Sequence, residues 1–204
     1  MMRLYDPQKG EVLFDKFDVK NNNIEFFRDK IAYVPQDVFL FSDTVSNNIA
    51  FGFDDVSEEN IINAATKSLV HNDILTLENQ YDTIVGERGV TLSGGQKQRI
   101  SLARALIKQS SVIILDDCLS AVDAKTEKEI LLQLDSILND RTSVIITHRV
   151  FSLLDFDKII VLEEGNIVEI GTHENLIKSK GVYYELYRLQ EQESRVVEVN
   201  NKVT

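Results

Sequence analysis

Apolar residues recur along this chain at different spacings, and the changes of spacing divide it into segments. Between 44 and 108 they recur at helical intervals, as Ile61, Ile62, Ala65 and Leu69 and again as Ile100, Ala103, Leu106 and Ile107, so this stretch is expected to be mostly helical. Upstream, residues 11–15 and 30–35 read as two strands, the second an apolar run, Ile31-Ala32-Tyr33-Val34, halted by Pro35. The first residues read as the end of a short helix stopped at Asp6-Pro7, because proline disfavours helix in the residue before it and cannot donate a backbone hydrogen bond. Gly10 then turns the chain. Downstream, 112–115 and 144–146 are continuous apolar runs of the kind found in a parallel sheet buried on both faces. They flank a helix whose apolar face is Ile130, Leu131, Leu134, Ile137 and Leu138, which predicts strand, helix, strand with a right-handed crossover. Residues 158–163 and 166–170, joined by Glu164-Gly165, predict a hairpin. Helices close the chain, and the tail after Gln192 is expected to fray.

Composition narrows what such an α/β chain does. With 43% hydrophobic and 27% charged residues, the 204-residue sequence is ordinary globular material, enough for one large domain or two small ones. A net charge of −11 provides no overall field for nucleic acid or an anionic membrane, so nucleic acid is not expected as a partner and any anionic ligand must be held locally. The single cysteine, Cys118, leaves no intramolecular disulfide and fits a reducing compartment. The longest aliphatic runs are strand-sized, far below the roughly 20 residues that span a bilayer. No charged segment followed by an apolar one after Met1 reads as an export signal.

Four short segments carry chemistry. Leu92-Ser93-Gly94-Gly95-Gln96 stands at the start of the helix that runs to Lys108. Ser93 can cap that helix, and two glycines leave backbone N–H groups uncovered at the positive end of the helix dipole, where a phosphate oxygen can approach. Taken alone, the segment also reads as a capped helix after a flexible turn. Val112-Ile113-Ile114-Leu115-Asp116-Asp117 is a buried strand ending in two carboxylates, where an acid can hold Mg²⁺ on a nucleotide phosphate or merely open an Asp-rich turn. Thr147-His148-Arg149 follows the next strand, where a histidine can reach a γ-phosphate or serve structure alone. Gln36 after Tyr33-Val34-Pro35 is the fourth, and is weak by itself.

Their order and spacing, with Ser120-Ala121-Val122-Asp123 after the two acids, resemble one family over nearly the whole chain, the ABC ATPases. The resemblance implies a RecA-like P-loop NTPase core with a mostly parallel sheet, interrupted by a helical subdomain. It places the core at 1–43 and 109–192, the signature subdomain at 44–108 and a flexible tail at 193–204. It makes Gln36 the Q-loop glutamine, a ligand of magnesium and of the reacting water's surroundings, and Asp116 the Walker B magnesium carboxylate. Asp117 takes the general-base position and His148 that of the switch histidine. Ser93, Gly94, Gly95 and Gln96 form the signature loop, and Asp123 closes the D-loop; with Gln36 and His148 these are the expected ATP contacts. ATP and Mg²⁺ are the implied cofactors. Thr83-Ile84-Val85-Gly86-Glu87-Arg88-Gly89 is similar to the X-loop of ABC exporters, which touches the transmembrane domain. Arg3-Leu4-Tyr5-Asp6-Pro7, Pro35-Gln36-Asp37-Val38-Phe39-Leu40-Phe41 and Gly171-Thr172-His173-Glu174 resemble exporters too, with His173 structural. The implied partners are an exporter transmembrane domain, met through the Q-loop and the Gly86-Glu87-Arg88-Gly89 segment, and a second, non-identical ABC ATPase domain. The implied address is the cytoplasmic face of the cell membrane. A non-transport ABC ATPase shares the sheet and signature, but the Gly86–Gly89 segment and Gln96 argue against it.

Two departures from the family bear on mechanism. None of the nine glycines is followed by lysine, so no Gly-x-x-x-x-Gly-Lys-Ser/Thr loop is present to cradle the β- and γ-phosphates. In the family that loop lies just upstream of the helix whose end resembles residues 1–5, so the chain is expected to begin in mid-helix and, alone, to bind ATP poorly or not at all. The alternative is a non-catalytic remnant acting as a signature-bearing scaffold. Asp117 stands where hydrolytic members carry glutamate. It is shorter by one methylene, about 1.5 Å, and a misplacement of about 1 Å can cost on the order of 10²-fold in rate. Slow hydrolysis at this chain's own site, with an intact signature, implies the degenerate half of an asymmetric dimer.

Overall fold

Three parallel strands, β3 (Ile31–Val34), β4 (Val112–Asp116) and β5 (Thr142–Ile146), carry the chemistry-bearing residues, in the order β3-β4-β5. Ile31 pairs with Val112 and Val34 with Leu115, while Val112 pairs with Thr142 and Asp116 with Ile146, so the C-terminal ends of all three strands lie at one edge. The computed structural model describes every residue except Met1, Asn22, Glu87, Arg88, Ser152, Leu153 and 202–204, and describes 193–201 by backbone alone. The chain forms two compact units, 1–146 and 147–204.

In the first unit β4 is central and buried from Val112 to Leu115, as a continuous apolar run requires. The expectation of burial on both faces fails for β5. It lies at the sheet's end, and Val144 and Ile145 are only half-buried while Ile146 is half exposed. A strand's burial depends on neighbours its own residues do not specify. α6 (Ala124–Leu138) connects β4 to β5 and buries Ile130, Leu131, Leu134 and Leu138 from its apolar face. One side of the sheet packs Val19, Phe27, Ile31, Val112 and Ile114 together.

The helical stretch builds its own core. α2 (Val45–Ile49), α3 (Glu58–Lys67), α4 (His71–Leu75) and α5 (Gly94–Ile107) enclose a cluster drawn wholly from residues 40–103, including Val45, Ile49, Ile61, Ala65, Ile74, Val85 and Ile100. Thr44, Ser57 and Ser93 cap α2, α3 and α5 by accepting the N–H three residues on. Asn48, almost fully buried, holds the turn before α2: its amide accepts from Phe41 N–H and donates to the carbonyls of Phe41 and Thr44. Arg104 of α5 donates to the Asn48 carbonyl and to its Oδ1, so the buried amide has no spare lone pair.

The N-terminal region departs from the pattern. Residues 2–10 form no helix; Arg3 takes φ +53° and donates to Asp6 and to the Val19 carbonyl. Leu4 and Tyr5 lie exposed, so the segment buries no apolar face that could offset the cost of nucleating a helix. The strand expected over 11–15 shortens to β1 (Leu13–Phe14), paired with an unforeseen β2 (Phe17–Asp18), and Asn23 caps an unforeseen α1 (Ile24–Asp29) that buries Phe27.

In the second unit β6 (Ile159–Glu163) and β7 (Asn166–Gly171) form the expected hairpin. Glu164 and Gly165 both take positive φ, +48° and +77°, which a two-residue turn of this hand demands. α7 (His173–Ser179) and α8 (Val182–Asn201) follow, around a cluster of Val150, Leu176 and Tyr183. The backbone of α8 stays helical to Asn201, past the point where fraying is expected. Among the described residues no helix is long and apolar enough to cross a membrane.

Candidate nucleotide site

Two carboxylates leave the central strand in succession, and each is held by a residue of the neighbouring strand or its exit. Tyr33 of β3 donates its phenolic proton to Asp116 Oδ2 at 3.1 Å, and burial followed by this hydrogen bond raises the tyrosine's pKa. Gln36, exposed two residues beyond β3, donates Nε2 to Asp117 Oδ2 at 3.3 Å. Parallel register makes both pairings possible, since β3 and β4 run side by side to the same edge. Asp117 itself adopts φ +44°, a conformation aspartate tolerates better than most residues. Its N–H donates to the Ile146 carbonyl at 2.8 Å, and its carbonyl accepts from the Ser120 N–H at 3.3 Å and from the Ser120 hydroxyl at 3.0 Å.

The loop of Ser120-Ala121-Val122-Asp123 leads directly into α6. Asp123 caps that helix by accepting from the Thr126 N–H at 3.0 Å, and this bond, ahead of the Thr126 hydroxyl, holds the carboxyl below its ordinary pKa. Opposite the loop lies the start of α5. Ser93 and Gln96 form a capping box: Ser93 Oγ accepts from Gln96 N–H at 3.2 Å while Gln96 Oε1 accepts from Ser93 N–H at 2.9 Å. Gly94 and Gly95 fill the first helical positions, whose N–H groups have no acceptor within the helix, at its positive end.

Sequence reasoning gave the glycines one task, leaving backbone N–H groups open; the structure adds another. A Cβ on Gly95 would stand 2.9 Å from the Ala121 carbonyl oxygen, and one on Gly94 would stand 3.2 Å from the Ala121 Cβ. Two further residues escaped the sequence reading. Asp73 of α4 accepts from Gln96 Nε2 at 3.1 Å and from Arg99 Nη1 at 2.7 Å, tying the signature loop to the helical core. Gln98, buried, donates Nε2 to Ser120 Oγ at 3.0 Å and accepts from Ala121 N–H at 2.9 Å. The Asp73 and Gln98 partners lie more than twenty residues away in sequence, and no local motif announces them.

The segment likened to an X-loop packs on the residues that follow Gln36. Val85 N–H donates to Asp43 O and Val45 N–H to Thr83 O, and Gly86, at φ +98°, would bring a Cβ to 3.0 Å from the Ser42 backbone. Glu87 and Arg88 lie outside the described residues. His148 belongs to the second unit, where its side chain is exposed and the flanking Arg149 N–H donates to Thr147 Oγ1 at 3.0 Å. His173, in the same unit, is a packing residue: its Nδ1 lies 2.8 Å from the Tyr183 hydroxyl and its ring edge meets Tyr187.

These residues fit a magnesium nucleotide. Mg²⁺ is usually held by one or two protein oxygens together with water and phosphate, and Asp116 with the amide oxygen of Gln36 would be such a partial set. Among the described residues no group of three or more His, Cys, Asp or Glu is placed to hold a metal ion. The uncovered N–H groups of Gly94 and Gly95 suit phosphate oxygens.

Comparison with known proteins points the same way. A family model described as ABC transporter matches residues 1–120. The chain is 42% identical over 196 residues to an ATP-dependent lipid A-core flippase of Syntrophus aciditrophicus, covering 96% of this chain and 33% of the flippase. It is 42% identical over 193 residues to the mitochondrial iron-sulfur clusters transporter ATM1 of Gibberella zeae, covering 94% of this chain and 28% of that one. A solved structure of a bacterial Atm1-family ABC exporter with ATP bound matches with a TM-score of 0.88 at 38% identity, over 93% of this chain and 34% of that chain. The chain thus spans about a third of the length of the relatives it matches.

Proposed function

This chain belongs to the ABC transporter family, and from that premise we propose that it is the ATP-binding and ATP-hydrolysing part of an exporter, working as the slower half of an asymmetric pair. The observation that carries the proposal is the hydrogen bond from Gln36 to Asp117 at the edge where the three parallel strands end. A glutamine amide and a pair of strand-end acids converge where open α/β sheets bind nucleotides. The similarity to exporters supports the direction of transport.

In this reading Asp116 and Gln36 hold Mg²⁺, which neutralises charge on the nucleotide phosphates when bound. Asp117 would accept the proton of the attacking water, and His148 takes the family's switch-histidine position. The shorter aspartate and its bond to Gln36 leave the carboxylate set back from the place a glutamate reaches, which slows hydrolysis at this site. Ser93, Gly94, Gly95 and Gln96, with Asp123, face the second ATPase domain and complete the faster site there. The buried cluster confined to residues 40–103 supports a signature subdomain over 44–108 within a core of 1–43 and 109–192. Val85 and Gly86 packed against residues 42 and 43 support a shared surface for the transmembrane domain, which would hold the chain at the cytoplasmic face of the membrane. Within these 204 residues no phosphate-cradling loop accompanies the site, so we propose that the chain alone hydrolyses little ATP.

The test is ATP-driven transport by the complete transporter in sealed vesicles. Replacing Ser93 by arginine stops most transport while leaving assembly intact; transport at the parental rate would contradict the assignment.

A further inference from the structure

The buried amide of Gln98 spends both its ends on one loop. Nε2 donates to Ser120 Oγ at 3.0 Å and Oε1 accepts from Ala121 N–H at 2.9 Å, across 22 and 23 residues of sequence. Ser120 Oγ passes the connection on, donating to the Asp117 carbonyl at 3.0 Å. Beside these bonds the start of α5 presents no side chain at all: Gly94 and Gly95 let Ala121 approach so closely that a methyl group on Gly95 would meet its carbonyl oxygen. Gln98 is 5% exposed, so water cannot replace what its amide does, whereas Ser120 and Ala121 are exposed and without it would keep only their local contacts.

We infer that Gln98 is a positioning residue that locks residues 120–123 onto the signature helix, so that Ser93, the two glycines and Asp123 meet the second ATPase domain as one rigid face. This rests on the exporter reading above and adds to it the residue that keeps the face in register. α5 alone is anchored from the other side, by Asp73 on Gln96 and Arg99. The loop's own bonds are local, from Ser120 to the Asp117 carbonyl and from Val122 N–H to the Leu119 carbonyl; the side chain that ties it to α5 is Gln98, through a hydroxyl and an N–H that both lie within four residues of Asp117.

The experiment is steady-state ATPase kinetics of the complete transporter carrying Gln98→Leu, Ser120→Ala, both together, or Ser120→Thr. A face thrown out of register by about 1 Å loses on the order of tenfold or more in kcat. KM for ATP stays within about twofold, because the partner domain's own residues hold the nucleotide before the face closes on it. The double variant is no slower than Gln98→Leu, since both changes break one connection. Ser120→Thr, which keeps the hydroxyl, restores the parental kcat. Equal losses for Ser120→Ala and Ser120→Thr, additive losses in the double variant, or a rise in KM at constant kcat would overturn the inference. If Gln98→Leu does not fold, the Ser120→Ala and Ser120→Thr pair decides alone. A Ser93→Arg control run alongside separates the two levels: its loss of ATPase activity with a silent Gln98→Leu removes only the inference, and its retention of activity removes the exporter reading on which the inference stands.

Discussion

Gly95 and Ala121 approach so closely that the position a Cβ would take on the glycine lies 2.9 Å from the alanine's carbonyl oxygen. The helix start and the loop after the two strand-end acids are therefore packed backbone to backbone. A helical glycine exchanged for alanine usually gains up to about 1 kcal/mol from propensity. Here the clash is with backbone and cannot be relieved by a side-chain rotation, and overpacking costs about 1–3 kcal/mol. Gly95→Ala should therefore destabilise the chain in thermal or denaturant unfolding, and a stabilised variant would show that the contact is not held in solution.

The thiol of Cys118 lies just beyond β4, 4% exposed, with its pKa pushed up to about 12 by burial, with the adjacent Asp117 and Asp116 charges adding to the rise. It is a proton-holding, inert group, and alkylation by iodoacetamide at pH 8 should be negligible while the native chain is folded and complete once it is unfolded. The linkage has a definite sign. The folded-state pKa is raised above the ordinary 9.0, so the thiol's contribution is fully present below pH 9 and is lost as pH climbs from there toward 12. Rapid labelling of the native chain would contradict the buried placement.

Nucleotide binding by the 204 residues alone should be weak. Asp116 and Gln36 offer a partial magnesium set, and the N–H groups of Gly94 and Gly95 offer an anion-binding helix end, but no glycine-rich loop with a lysine supplies the main phosphate contacts. Titration with a fluorescent ATP analogue should give no saturation in the micromolar range, and micromolar binding would show that other residues take over that task.

What the sequence makes legible, and what it does not, follows from how locally each feature is encoded. Glu164-Gly165 announces its hairpin because positive φ at two successive positions is a property of those two residues. Ser93 announces its helix cap in the same way, while the reciprocal bond from Gln96 is added by the structure. The helical interval of Ile61 and Ala65 persists long enough to be recognised. By contrast, α1 has six residues and one buried side chain, too few to show a period, and β1 and β2 have two residues each. Gln98 and Asp73 look like ordinary polar helix residues until the fold brings Ser120 and Arg99 beside them. The half-exposure of β5 depends on what packs over it, since β3 at the other end of the sheet is buried, and it is invisible in a run of β-branched residues.

ATPase turnover of the complete transporter with two opposed substitutions measures most directly the proposal that this chain lends its partner a working signature face while its own site turns over slowly. Asp117→Glu should raise turnover, because the longer carboxylate regains the roughly 1.5 Å of reach that one methylene supplies. Ser93→Arg, which sets a bulky cation at the helix start, should remove most of it. If Asp117→Glu leaves turnover unchanged and Ser93→Arg is tolerated, the asymmetric account is contradicted.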